Sequence, residues 1–298
     1  MEPILKLDHI NYSYHTLDGE TKALSDISFS LTPGEFTAVV GPSGCGKSTL
    51  LSLIAGLMKP ESGQLSLNGK ALTENSSKIG YMLQHDHLFE WRTVRRNVLL
   101  GAEINHALSP EIRKRADNLL TQYGLQRFSR SRPSQLSGGM RQRAALIRTL
   151  LLDPELLLLD EPFSALDYQT RLTVSDDIGQ IIRHSGKTAL LVTHDLSEAV
   201  SLSDRVIVLT KRPAQIACII PVTFSLENDR KLTIVSYRVI REGLLKIKES
   251  MTPVLAQTSH SITKTTRIMM RAVSTIIRCR LTRERNNFCP REILFITI

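Results

Sequence analysis

No stretch of the 298-residue sequence approaches the roughly 18 to 20 consecutive apolar residues that a membrane-spanning helix needs. The first residues, Met-Glu-Pro-Ile-Leu-Lys, also lack the basic region and the apolar stretch of a secretory signal peptide. These absences argue against a membrane pore formed by this chain. We therefore expect a cytoplasmic protein.

Cysteine is scarce as well: the four residues at positions 45, 218, 279 and 289 are widely scattered and lack the spacing of metal ligands. Cys45 lies inside a glycine-rich loop that requires a small residue, so we interpret it as a thiol and not as a disulfide partner. His85 and His87 flank Asp86 and could indicate a metal site. For so short a cluster, a solvated loop is the favoured alternative.

That glycine-rich loop follows an apolar run at residues 36–40, which predicts a buried strand, and it precedes a predicted helix at residues 49–57. It matches the phosphate-binding pattern G-x-x-x-x-G-K-[ST]. Its glycines let backbone N–H groups surround an anion, and the helix N-terminus adds partial positive charge. Lys47 would reach the β- and γ-phosphates of a nucleotide, and Ser48 would ligate Mg²⁺. The predicted binding residues are Gly41, Pro42, Ser43, Gly44, Cys45, Gly46, Lys47, Ser48 and Thr49.

Two adjacent carboxylates, Asp160 and Glu161, follow a run of four leucines at residues 156–159. Such a run suits a strand buried on both faces of a parallel sheet, whose carboxyl end is where open α/β sheets bind ligands. Asp160 would hold Mg²⁺ through water, and Glu161 would be the general base for the attacking water. After a second predicted strand at residues 188–192, His194 could bond a γ-phosphate oxygen. The alternatives are a solvated turn and a structural histidine.

A second anion-receptive segment, Leu-Ser-Gly-Gly-Met-Arg-Gln-Arg, occupies residues 136–143. Ser137 is a good N-cap residue, and apolar residues recur at helical spacing after it. Ser137, Gly138 and Gly139 therefore predict a helix N-terminus that can accept an anion. If the intervening segment is a separate helical subdomain, one chain cannot easily fold this N-terminus onto its own phosphate loop. Two chains packed head to tail can do so.

These motifs resemble those of the ATP-binding subunits of ABC transporters, and the resemblance covers residues 4–222. Residues 41–49 resemble the Walker A loop of that family, residues 136–143 its signature, and residues 156–161 its Walker B segment. Residues 164–167, Ser-Ala-Leu-Asp, resemble its D-loop. The resemblance implies an ATPase that uses ATP and Mg²⁺.

The resemblance also implies roles for residues outside these motifs. Tyr14 would stack on adenine, Gln84 would be the glutamine that reaches the metal and the reacting phosphate, and His194 would be the switch histidine. Ser137 and Gly139 would contact the γ-phosphate held by a second copy of the chain. ATP would then join the two copies, and hydrolysis would release them.

The implied fold class is α/β: a RecA-like P-loop ATPase core with an antiparallel β subdomain and a helical signature subdomain. Alternating apolar runs within residues 5–36 predict antiparallel strands, while residues 62–64 and 68–69 predict the turns of a further hairpin. Helical patterns at residues 92–150 predict the arm that bears the signature. We expect residues 1–222 to form one ATP-binding domain.

Beyond that domain we expect a helical extension at residues 223–250 and a basic tail at residues 251–298. The tail contains eight Lys or Arg residues against two Glu, a net charge of +6. Basic and apolar residues between positions 264 and 278 separate onto two helical faces, which could place a helix on anionic lipid. The alternative is a poorly ordered extension without a role.

Three classes of function are open to a chain with these motifs. A catalytically silent binding module predicts the loss of Lys47, Asp160 or Glu161, and all three are present. The second class is a soluble ABC ATPase that acts on ribosomes or nucleic acid. Members that act in translation generally carry two ATPase halves in one chain, and members that act on chromosomes insert a long coiled coil between the Walker A loop and the signature. This chain has one half, with 89 residues between Lys47 and Ser137. We favour the motor subunit of a membrane transporter and expect no nucleic-acid partner.

Within transporters, residues 88–98 resemble the corresponding stretch of importers for nitrate, sulfonates and taurine. Glu90 departs from the proline that is usual there. The resemblance implies integral membrane permease subunits as direct partners, a solute-binding protein as an indirect one, and a peripheral position on the cytoplasmic face of the membrane. Trp91 would contact a permease helix, or it would be a buried anchor within the helical arm.

Overall fold

A six-stranded sheet forms the centre of the computed structural model, which describes residues 2–17, 19–72 and 78–222. The predicted extension at 223–250 and the basic tail at 251–298 lie outside the described residues. The strand order is β10-β9-β3-β8-β7-β6, and all neighbours are parallel except β9 and β10. The strands are β3 (Phe36–Val40), β6 (Ile79–Met82), β7 (Leu156–Asp160), β8 (Thr188–Val192), β9 (Arg205–Leu209) and β10 (Ile216–Pro221).

The three central strands are buried at every position. The four leucines of β7 have no exposed surface, which fits a strand covered on both faces. Because β3, β6, β7 and β8 run parallel, the segments that follow them emerge at one edge of the sheet. This edge collects the phosphate loop after β3, Gln84 after β6, Glu161 after β7 and His194 after β8.

An antiparallel sheet in the order β2-β1-β4-β5 forms the second layer, as predicted. Its strands are β1 (Leu5–Thr16), β2 (Gly19–Leu31), β4 (Ser62–Leu67) and β5 (Lys70–Ala71). One core joins this sheet to the central one: Leu5 and Leu24 share it with Leu156 and Leu190. Leu50 of helix α1 (Lys47–Ile54) belongs to the same core, so the helix behind the phosphate loop is held by both sheets.

The hairpin prediction is half right. Asn68 and Gly69 do form the turn between β4 and β5, but residues 62–64 belong to β4 itself. Gly63 has a φ of 92° there, and a Cβ on it would lie 2.5 Å from the carbonyl oxygen of Asp8. The register between β1 and β4 shifts between Asp8 and Asn11, which indicates a bulge in β1. The glycine therefore accommodates the bulge and does not mark a turn.

The helical arm consists of α2 (Val94–Ile104), α3 (Pro110–Gln122) and α4 (Gly138–Leu151). Thr93, Ser109 and Ser137 cap these helices with their side chains, as the N-cap preference predicts. The arm has a core of its own that includes Val98, Leu120 and Ile147. Two further helices, α5 (Tyr168–His184) and α6 (Leu196–Leu202), follow β7 and β8. Within the described ranges, no helix is both long and apolar enough to cross a membrane.

The bulge against Gly63 yields a stability prediction. Gly63→Ala should lower the free energy of unfolding by about 2 kcal/mol or more beyond the loss caused by Gly69→Ala. The new methyl group at position 63 meets main-chain atoms, which can move only if the strand is distorted. Gly69 is a matched control: its φ is also positive, at 71°, but no atom lies within 4 Å of a Cβ built on it. Equal destabilisation in urea unfolding would contradict the steric explanation.

Candidate functional site

The phosphate loop turns from the end of β3 into α1. Gly46, immediately before the helix, has a φ of 121°, a conformation that is easily reached only by glycine. Lys47 is only 6% exposed, and its Nζ donates hydrogen bonds to the carbonyl oxygens of Gly41 (2.9 Å) and Pro42 (3.0 Å). The loop therefore holds one buried ammonium group at the start of a helix, which suits the binding of phosphate.

The remaining loop residues have defined surroundings. Ser43 and Gly44 are exposed, whereas Cys45 is buried and carries a free thiol whose pKa is raised by burial. Arg212, in the segment after β9, donates a hydrogen bond of 2.9 Å to the carbonyl oxygen of Gly44. No motif in the sequence indicated this contact, because Arg212 lies more than 160 residues from the loop.

Asp160 lies next to Ser48, as is required if both residues are to hold the same Mg²⁺ ion. The Ser48 hydroxyl donates to Asp160 Oδ1 at 3.3 Å, and the Tyr81 hydroxyl donates to Oδ2 at 3.3 Å. Burial raises the pKa of Asp160 and the charge of Glu161 adds to this effect, while the two hydroxyl donors lower it. Tyr81 was missed by the sequence reasoning, since a tyrosine in a strand reads as an ordinary core residue.

Glu161 and His194 meet beside this pair. The Glu161 amide donates to the carbonyl oxygen of Val192 at 2.8 Å, which extends the pairing of β7 with β8 by one residue. His194 Nδ1 then lies 3.0 Å from Glu161 Oε2. Glu161 has a φ of 44°, an unusual backbone conformation for a residue with a side chain. The structure thus brings together the predicted base and the predicted switch histidine.

Gln84 is linked to Glu161 through Ser164 of the D-loop. Its Nε2 donates to Ser164 Oγ at 3.3 Å, and Ser164 Oγ donates to the carbonyl oxygen of Glu161 at 2.9 Å.

Tyr14, from β1, forms a 2.9 Å hydrogen bond between its hydroxyl and Thr49 Oγ1. The residue is 38% exposed, and its ring lies edge-on to that of Tyr12, with centroids 5.1 Å apart. The tyrosine is therefore beside the phosphate loop with surface left to contact a ligand.

The loop after Gln84 is bound to the signature helix α4. Arg148 donates to the carbonyl oxygens of Asp86 (2.8 Å) and His87 (2.7 Å), and Arg141 pairs with the Asp86 carboxylate at 3.1 Å. These two arginines were not predicted as functional residues. Among the described residues, no group of three or more His, Cys, Asp or Glu side chains is arranged to hold a metal.

The signature residues lie at the start of α4, where the N-cap preference places them. Ser137 Oγ accepts a hydrogen bond from the Met140 amide at 3.4 Å. A Cβ on Gly138 would lie 2.7 Å from Leu166 Cδ2 of the D-loop, and one on Gly139 would lie 2.5 Å from Val174 Cγ2 of α5. A side chain at either position would thus displace a neighbouring side chain, independently of any ligand.

A comparison with protein families matches residues 24–164 to the model described as ABC transporter. The uncharacterized ABC transporter ATP-binding protein YtlC of Bacillus subtilis is 46% identical over 212 residues, which are 71% of this chain and 82% of YtlC. The chain belongs to the ABC transporter ATP-binding family. The resemblance stated from the sequence is therefore confirmed, and the chain is an ATP-binding ATPase.

Several relatives have names that specify a solute. The aliphatic sulfonates import ATP-binding protein SsuB of Bacillus licheniformis is 40% identical over 76% of this ABC ATPase and 87% of SsuB. The nitrate import protein NrtC of Synechocystis is 43% identical over 72% of this chain and 32% of its own length. The taurine import protein TauB of Roseobacter denitrificans is 40% identical over 71% of this chain and 80% of TauB.

Solved structures agree with this assignment. A dimeric ATP-binding cassette in a post-hydrolysis state, bound to ADP and Pi, aligns with a TM-score of 0.60 and 32% sequence identity. The alignment covers 71% of this chain and 98% of that cassette. The predicted fold class, a RecA-like P-loop ATPase core with two subdomains, is confirmed.

The packing of Gly139 gives a second prediction. Gly139→Ala should destabilise the ABC ATPase by about 1 to 3 kcal/mol, because the added methyl group overlaps Val174 Cγ2. Combining it with Val174→Ala should recover part of that loss, so that the two changes are not additive in thermal unfolding. Strict additivity would show that the Gly139 requirement comes from something other than this contact.

Proposed function

We propose that this ABC ATPase energises a membrane importer of small solutes such as nitrate, sulfonates or taurine. The observation that carries the catalytic part is the convergence of Ser48 with Asp160 and of Glu161 with His194 at one edge of the sheet. The import part is supported by the relatives named for these solutes. The phosphates of ATP occupy the loop at residues 41–49, with Lys47 on the β- and γ-phosphates and Tyr14 stacked on adenine.

The oxygen donors at the site fit Mg²⁺. Ser48 and Asp160 offer adjacent hydroxyl and carboxylate oxygens, the hard ligands that this ion prefers. Gln84, tied to Ser164, is the third residue that we assign to it. When bound, the ion neutralises charge on the β- and γ-phosphates. Because the pKa of Asp160 is raised by burial, a cation beside it also stabilises its charged form.

Hydrolysis requires a base and a hydrogen-bond donor at the γ-phosphate. Glu161 polarises the attacking water as general base, and its backbone position is fixed by the Val192 carbonyl. His194, 3.0 Å from the Glu161 carboxylate, orients that carboxylate and donates to a γ-phosphate oxygen. The positive charge of Lys47 stabilises the transition state as well as the bound nucleotide.

A second copy of the chain completes each nucleotide site. The N-terminus of α4 presents Ser137, Gly138 and Gly139 to the γ-phosphate of ATP held by that copy. The dimeric cassette bound to ADP and Pi supports this arrangement. ATP thereby links the two copies, and loss of the γ-phosphate weakens the link.

Trp91 is the surface feature that supports a permease partner. It is 72% exposed and stacks on Phe89 with ring centroids 4.6 Å apart. The alternative, a buried anchor within the arm, is wrong because most of the indole faces solvent. We assign this pair of rings to a cytoplasmic segment of a permease, which places the ABC ATPase at the cytoplasmic face of the membrane. A solute-binding protein then selects the cargo.

Removing the general base tests the catalytic assignment. Glu161→Gln should reduce kcat by about 10²- to 10⁴-fold while ATP affinity is retained, because the phosphate loop is unchanged. Light scattering should then detect dimers of this variant with Mg-ATP and monomers without it.

Glu155→Gln is the matched control. Glu155 precedes the same strand at its opposite end, where it pairs with Lys78 and Asn68. Near-normal turnover by Glu161→Gln would contradict its assignment as base. Equal dimer populations with and without nucleotide would contradict the ATP-linked dimer.

Truncating the exposed indole tests the partner. Trp91→Ala should leave ATP binding and the melting temperature nearly unchanged but reduce copurification of a permease from detergent extract. Aromatic anchors at interfaces commonly contribute about 2 kcal/mol or more. Leu57→Ala removes another side chain that is largely exposed, at 68%, and serves as the control. If the ABC ATPase copurified with ribosomes or nucleic acid and without a membrane protein, the result would support a soluble ABC ATPase instead of a transporter subunit.

A further inference from the structure

The side chain of Arg171, in the first turns of α5, lies between the D-loop at residues 164–167 and the switch segment at residues 193–195. Its Nη2 donates to the carbonyl oxygen of Leu166 at 3.1 Å. Its Nη1 lies 3.7 Å from Asp195 Oδ2, and its Nε lies 3.9 Å from Glu198 Oε1. One guanidinium group therefore forms a hydrogen bond with a D-loop carbonyl and lies at ion-pair distance from two carboxylates at the start of α6, while its buried Nε has no hydrogen-bond partner among the described residues.

These carboxylates are linked to both neighbours of His194. Glu198, whose side chain is 8% exposed, accepts a 2.6 Å hydrogen bond from Thr193 Oγ1. The same hydroxyl oxygen accepts a 3.0 Å hydrogen bond from the Asp195 amide. Asp195 Oδ1 in turn caps α6 through the amides of Ser197 and Glu198. The backbone on each side of His194 is thus fixed by groups that Arg171 contacts.

On its other side, Arg171 is bonded to the D-loop, which contacts residues of the proposed nucleotide site. Leu166 packs against Gly138 of the signature, and Ser164 in the same loop contacts Gln84 and the Glu161 carbonyl. A change in the D-loop would therefore move the surroundings of Glu161 and the start of α4 together. Arg171 lies between this loop and the carboxylates that hold the switch segment.

We propose that Arg171 is a positioning residue for ATP hydrolysis, which keeps the D-loop and the switch segment in the arrangement where His194 contacts Glu161. The inference rests on the roles proposed for Glu161 and His194. Arg171 does not contact the reacting atoms. Its effect is on the geometry of the two groups that do, and small displacements of such groups reduce rates strongly.

The charge on Glu198 adds a pH dependence to this arrangement. Burial raises its pKa to about 7, and Asp195 adds to this effect, whereas the Thr193 hydrogen bond, Arg171 and His194 lower the pKa. The carboxyl gains its charge as the pH rises through this value, so the attraction to Arg171 is present above it and is lost below it. A variant without the guanidinium group has no such attraction at any pH, so this contribution to the pH dependence should disappear.

The test compares two arginines of the same helix in the full chain. Arg171→Met should reduce kcat for ATP about tenfold to a hundredfold and change KM by less than about threefold. Arg183, later in α5, also donates to a carbonyl, that of Leu202 at 2.9 Å, and lies 3.7 Å from a carboxylate, that of Asp204. Arg183→Met should leave kcat near the wild-type value. Arg171→Lys should recover part of the rate, because it keeps the positive charge.

The pH profile provides a readout that general destabilisation would not move. In Arg171→Met the part of the acid limb of kcat that comes from the Glu198–Arg171 attraction should be lost, and in Arg183→Met the limb should stay in place. Equal kcat losses in the two methionine variants, or an unchanged acid limb in Arg171→Met, would overturn the proposal. If Arg171→Met does not fold, Arg171→Lys against Arg183→Lys makes the same comparison. Near-normal turnover by Glu161→Gln would refute the catalytic assignment separately.

Discussion

The parallel pairing of β3, β8 and β7 is the constraint on which the site depends. Backbone bonds continue this pairing past the strand ends: Glu161 donates to Val192, and Thr193 donates to Val39 at 3.2 Å. These two bonds place the residues after β7 and β8 side by side, next to the loop that follows β3. The strands can hold this register because their side chains are buried on both faces, and a slip would expose or misplace every one of them.

Burying charged groups at this edge has an energetic cost that the local hydrogen bonds offset. Lys47 is compensated by two loop carbonyls, and Asp160 by the hydroxyls of Ser48 and Tyr81. The raised pKa of Asp160 indicates that its compensation is incomplete. A carboxylate in this condition gains from a nearby cation, which is the property that a magnesium ligand needs.

The helical arm is connected to this edge through arginines. Arg141 and Arg148 attach α4 to the loop after Gln84, and Arg171 attaches the D-loop to the switch segment. Arg148 binds two main-chain carbonyls of that loop at once, in the multidentate manner that distinguishes arginine from lysine.

The sequence by itself determined the family, the ATPase activity and the order of the elements. Its glycine-rich loop, apolar strands and N-cap serines are local signals, and the structure has β3, β7 and β8 at the predicted residues. Only the tertiary structure decided the bulge against Gly63, the exposure of Trp91, and the contacts of Tyr81, Arg212 and Arg171. Each of these depends on residues that are distant in sequence or on which side of an element faces solvent. No local pattern encodes such contacts, because an arginine or a tyrosine has the same local preferences whichever partner the fold brings to it.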